Sequence, residues 1–86
     1  MKRILTESGF AAELDETRLN DMELFDGLMA LESGDMTALP VVVSKIMGDA
    51  KRALYDHVRA ENGTVPMERV MAELQEIIGI LGEKKS

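Results

Sequence analysis

The chain of 86 residues carries 16 acidic and 10 basic side chains, a formal charge of −6, with 45% hydrophobic residues and no cysteine. That balance excludes disulfides and thiolate metal sites and disfavours a nucleic-acid backbone as partner, because the bases, among them Arg18, Lys45, Arg59 and Arg69, are scattered. A chain this short buries only about 60–65% of its unfolded surface. With Phe10, Phe25 and Tyr55 as its aromatics, its core must be aliphatic and methionine-filled.

Residues 1–19 alternate weakly in polarity. Ile4 and Thr6 fall on one side and Arg3, Leu5 and Glu7 on the other; Ser8-Gly9 offers a turn, and Phe10, Ala12 and Leu14 resume the alternation. The pattern allows an ordered hairpin or a loose arm, since an isolated hairpin is barely stable in water. Residues 20–82 read as a bundle of about four helices, each ending at a glycine able to take positive φ: Gly34, Gly48, Gly63 and Gly82. The first is expected from a cap at Asn20 or Asp21 to Ser33. The second begins near Thr37, with Pro40 tolerated in its first turn. The third runs from after Asp49 to near Glu61, and the fourth from about Pro66. Residues 83–86 form a tail. The expected fold is one mainly α domain with an N-terminal hairpin or arm.

The helices differ in how much apolar surface they carry. In the fourth, Met67, Val70, Met71, Leu74, Ile77, Ile78 and Leu81 make one stripe, while Glu68, Arg69, Glu73, Gln75 and Glu76 fill the other positions. That stripe is expected to close the core against helices one and three. In the first helix Met22, Leu24, Phe25, Leu28, Met29 and Leu31 cover about half the circumference, wider than the stripe of an ordinary surface helix. The second is similar, through Leu39, Val41, Val42, Val43, Ile46 and Met47. A central position in the bundle accounts for such width; an interface accounts for it equally. Gly27 and Gly79, each costing about 1 kcal/mol relative to alanine, suit a close approach of another backbone. Methionine is flexible and polarizable, so Met22, Phe25, Met29, Met67 and Met71 are the candidate partner-binding residues.

No catalytic, cofactor or metal residue emerges. His57 shares the apolar side of helix three with Ala50, Leu54 and Val58, as a core or boundary histidine would. Ser8, Ser33, Ser44 and Ser86 fall at turns, ends or exposed positions, with nothing to gather them beside a base. The acidic stretch Asp15, Glu16, Asp21, Glu23 and Asp26 lacks the spacing of a calcium loop and reads as caps and solvated face. No apolar run reaches the roughly 18–20 residues of a membrane span, and Glu7 follows Met1–Leu5 too soon for a signal peptide. The expectation is a soluble protein that is not an enzyme. The run from Tyr55 to Val70 has the helix, glycine turn and V-P-M-E restart of helix-turn-helix domains. However, Ala72 to Leu81 carries two glutamates and no base, where a recognition helix would be basic.

Four segments in this order carry a resemblance: L-T-E-S-G-F-A-A-E-L-D from Leu5, L-N-D-M-E-L-F-D-G-L-M-A-L from Leu19, G-D-M-T-A-L-P-V-V-V-S-K-I-M-G from Gly34, and L-Y-D-H-V-R-A-E-N-G-T-V-P-M-E-R-V-M-A-E-L-Q-E-I from Leu54. Over residues 3–81 the chain resembles the small tail assembly chaperones of long-tailed phages and prophages of Gram-positive bacteria. The resemblance implies a noncatalytic assembly factor of the host cytoplasm, absent from the mature virion. Such a factor binds the tape measure protein, keeps its apolar helices soluble and helps recruit tail tube protein around it. It implies no cofactor, nucleic acid or membrane. It also implies a longer product made by ribosomal frameshifting, and Lys84-Lys85 falls where that site would lie; a terminal lysine pair equally complements a helix dipole. The alternatives are a small helix-turn-helix-like phage regulator and a structural dimerisation adaptor that forms a homo-oligomer.

Overall fold

The alternation near the N-terminus produces an ordered hairpin in the computed structural model, which describes residues 1–83. Strands β1 (Lys2–Leu5) and β2 (Ala11–Leu14) pair antiparallel, with Lys2 opposite Leu14 and Leu5 opposite Ala11. Gly9, at φ +97°, turns the loop between them, and the Thr6 and Phe10 backbones close it through an N–H to carbonyl bond of 2.9 Å. Period-two geometry places Ile4, Thr6, Phe10 and Leu14 inward, all buried, while Leu5 and Glu13 face outward.

Capping residues set the helix starts. Asp15 caps a short 3-10 turn at Glu16–Leu19. Asp21 caps α1 (Met22–Glu32), its carboxylate accepting from the Glu23 and Leu24 amides. Asp35 caps a second 3-10 turn, Met36–Ala38, that runs into α2 (Leu39–Met47), with Pro40 in its first turn. Gly48, at φ +52°, redirects the chain through Gly48–Ala50 into α3 (Lys51–Val58), and α4 (Met67–Leu81) begins after Pro66.

Helix α2 fills the centre. Val42, Val43 and Ile46 have no exposed surface and Leu39 and Met47 are buried with them, so its wide apolar arc is internal except at Val41. Around it the hairpin contributes Ile4, Phe10 and Leu14, α1 contributes Leu24, α3 contributes Leu54 and Val58, and α4 contributes Val70, Leu74, Ile77 and Leu81 to a single cluster. The Cβ of an alanine at Gly27 would lie 2.8 Å from Val42 Cγ2, so the close approach expected there is a side chain of this chain's own α2. Gly79 has nothing within 4 Å on its open side, and no close approach explains it.

Four sequence expectations are corrected. Helix α3 ends at Val58 rather than near Glu61: Arg59 is extended, the Arg69 guanidinium takes the Val58 carbonyl at 3.2 Å, and Asn62 folds the following loop by accepting from the Thr64 amide and hydroxyl. Gly82 stays right-handed at φ −81°; the last turn closes on the Ile78 carbonyl, and the Lys2 ammonium takes the Ile80 carbonyl at 2.7 Å. Helix α4 packs on β1, α3 and the Glu16–Leu19 turn, while α1 is separated from it by a groove. Glu73 is buried at 7% exposure instead of lying on the solvated face. The Lys84-Lys85 pair and most of the 83–86 tail lie outside the described residues.

The two helical glycines should respond oppositely to alanine. Gly79→Ala gains helix propensity without a clash and should stabilise by about 0.5–1 kcal/mol. Gly27→Ala gains the same propensity but overpacks against a stiff, buried valine, and should destabilise by about 1–2 kcal/mol net. Urea denaturation of the two variants checks both signs.

Candidate binding surface

Placing residues 100° apart around α1 separates two faces. Leu24 and Leu31 point at α2 together with Gly27. Met22, Phe25 and Met29 lie together on the other side at 68, 54 and 49% exposure. Leu28 and Glu32 fall between these faces. On α4, Met67 is 59% exposed and Met71, one turn on, is half-buried. Of the five candidate residues, four are therefore exposed, and Met71 lines a depression.

That depression is a groove of about 320 Å³ between α1 and α4. Leu28 and Leu31 form one wall, Met71, Leu74 and Ile78 the other, and Leu39 and Val42 of α2 the floor, with Glu32 and Gln75 at the rim. Apart from those two side chains its lining is apolar. The exposed row of α1 continues the first wall outward and Met67 extends the second, so the surface reads as a seat for an apolar ridge.

A polar cluster was missed by sequence reasoning. The Thr6 hydroxyl donates to Glu73 Oε1 at 2.8 Å and the Ser8 hydroxyl to Oε2 at 3.0 Å; Ser8 Oγ also meets His57 Nε2 at 2.9 Å. Ser8 is thus gathered with a histidine and a glutamate, contrary to the expectation that nothing gathers it. His57 is exposed rather than part of the core, its ring tilted against Phe10 at a centroid distance of 5.5 Å. With the Ser8 hydroxyl donating to Glu73, its bond to His57 Nε2 requires the imidazole tautomer that carries the proton on Nε2. In that tautomer the polarity is opposite to that of a serine activated by a histidine base, where the hydroxyl donates to the imidazole. The cluster clips the hairpin turn onto α3 and α4, assisted by Glu76, which accepts from the Glu7 amide at 2.7 Å. The available signal was the position of Glu73 on the wheel, about 60° from Val70.

A second clamp joins α1 to α2. Lys45 Nζ lies 3.0 Å from Asp21 Oδ2 and 3.1 Å from Glu23 Oε1. The Lys45 bond, with help from the Leu24 and Glu23 amides, holds the Asp21 carboxyl below its ordinary value; the two carboxylates raise the Lys45 ammonium above its own. Among the described residues no group of three or more histidine, aspartate or glutamate side chains could hold a metal ion. No helix among them is long and apolar enough to cross a membrane. No family model, curated protein or solved structure matches the chain.

Two outcomes follow from these clamps. Glu73→Ala leaves the Thr6 and Ser8 hydroxyls without their acceptor and should destabilise by about 1–3 kcal/mol, with hairpin amides losing hydrogen-exchange protection first. For Asp21, whose pKa is lowered on folding, the stabilisation is present above the ordinary carboxylate value and lost as pH falls through the folded value. For Lys45, whose pKa is raised, it is present below the ordinary lysine value and lost as pH rises through the folded one. The clamp should therefore be constant between roughly pH 5 and 9. Lys45→Met should shrink the fall in Tm between neutral and acidic pH, as thermal melts would register.

Proposed function

We propose that this chain is a noncatalytic helix-binding assembly chaperone of the phage tail type. It holds apolar helices of the tape measure protein in solution in the host cytoplasm, helps recruit tail tube subunits, and does not remain in the mature virion. The observation that carries this reading is the row of Met22, Phe25 and Met29, exposed on α1 beside an apolar groove. Contiguous apolar surface on an otherwise charged small protein marks an interaction face, and methionines let that face repack against clients of varied sequence. The segmental resemblance to tail assembly chaperones supplies the identity of the client.

The DNA-binding alternative fits less well. The connection from Arg59 to Pro66 is longer than the turn of about three or four residues in a helix-turn-helix unit, and the helix after it carries its one base, Arg69, against α3. Low-salt gel shifts should accordingly show no retention of duplex DNA.

Co-expression with the tape measure protein tests the proposal. The native chain should keep that protein in the soluble fraction and copurify with it. The triple variant Met22→Ser, Phe25→Ser, Met29→Ser should fold with each change within about 0.5 kcal/mol of neutral, because the side chains are exposed. It should nonetheless recover several-fold less client. Equal recovery by the variant, or none by the native chain, would sink the reading.

A further inference from the structure

Among the described residues that line the α1–α4 groove, the one charged side chain is Glu32, and the chain on either side of it is short of bases. Between Arg18 and Lys45 the chain carries Asp21, Glu23, Asp26, Glu32 and Asp35 and no base; between Arg69 and Lys84 it carries Glu73, Glu76 and Glu83 and no base. Several of these carboxylates already have work inside the fold. Lys45 engages Asp21 and Glu23, the hairpin engages Glu73, and Glu76 receives the Glu7 amide. Glu32 lines the groove and forms no ion pair among the described residues.

We infer that the groove seats one amphipathic helix whose apolar anchors are flanked by lysine or arginine. The inference rests on the helix-binding reading above and adds the chemistry that selects the client. A helix presents anchors at i, i+3 or i+4, and i+7, which suits an elongated trough walled by Leu28 and Leu31 on one side and by Met71 and Ile78 on the other. Flanking bases would then meet Glu32. A second copy of this chain is a poor occupant. It carries the same charge of −6, and its own exposed apolar helix, α1, would bring Glu23, Asp26 and Glu32 against that carboxylate.

Two synthetic helical peptides with the same leucine anchors, one flanked by lysines and one by glutamates, provide the probe. Fluorescence anisotropy against the full chain should show the lysine peptide binding about tenfold or more tighter at low salt, with the difference shrinking as salt rises. Glu32→Lys, an exposed change that spares the fold, should narrow or reverse the preference, whereas Glu13→Lys on the outer side of β2 should leave it unchanged. Gln75→Trp at the rim should weaken both peptides by obstructing the trough.

Equal binding of the two peptides, both weakened by Gln75→Trp, overturns the charge selection while leaving helix binding intact. Binding lost with Phe25→Ser but indifferent to Gln75→Trp places the client on the outer face of α1 and overturns the groove. A chain that dimerises alone in sedimentation, and is made monomeric by Gln75→Trp, makes the second copy the occupant and overturns the inference. Binding of neither peptide overturns it as well, and recovery of the tape measure protein then shows separately whether the chaperone reading survives.

Discussion

One nine-residue helix, α2, occupies the middle of the molecule, and the placement of everything else follows from that. Three of its side chains are wholly excluded from solvent, a demanding condition in a chain short of aromatic bulk. It is met by crowding α1 onto α2 at Gly27, where no side chain intervenes, and by bringing α3, α4 and the hairpin round the remaining sides. Small aliphatic residues cannot also span the distance from α1 to α4. The two outer helices therefore stand apart, with Leu39 and Val42 forming the floor between them. The groove is the geometric residue of a centre filled by a slender helix.

Exposed apolar surface has a solubility cost, and the charge distribution bears on how the chain tolerates it. Met22, Phe25 and Met29 share their helix with Glu23, Asp26 and Glu32 and with no base. Like charge discourages two such faces from meeting. The lysine that α1 does meet, Lys45, is spent on its N-terminal turn, where two carboxylates hold it in a fixed place.

Much of this was legible in the sequence because local signals agreed. Asp21 before an apolar run, Pro40 and Pro66 at helix starts, and positive-φ glycines at Gly34, Gly48 and Gly63 mark the elements where they occur. The exposed row of α1 was visible as excess apolar width. Other features depend on partners distant in sequence and left no local trace. Glu73 reads as a surface residue until Thr6 and Ser8 arrive over it, and His57 reads as internal until the turn at Ser8 gives it a polar contact outside. The early end of α3 depends on Arg69 reaching back to the Val58 carbonyl. Periodicity also cannot tell which of two apolar faces a neighbour covers, so α4 was matched with α1 when it rests on the hairpin instead.

The carboxylate beneath the hairpin also carries a consequence for synthesis. Thr6 and its acceptor on Glu73 are 67 residues apart, so at about 5–20 residues per second the ribosome needs about 3–13 s to deliver the second after the first. Throughout that interval Ile4, Phe10 and Leu14 have no α4 to cover them. The hairpin is made seconds before the helix that covers it, and for those seconds the nascent protein is itself an unprotected apolar client.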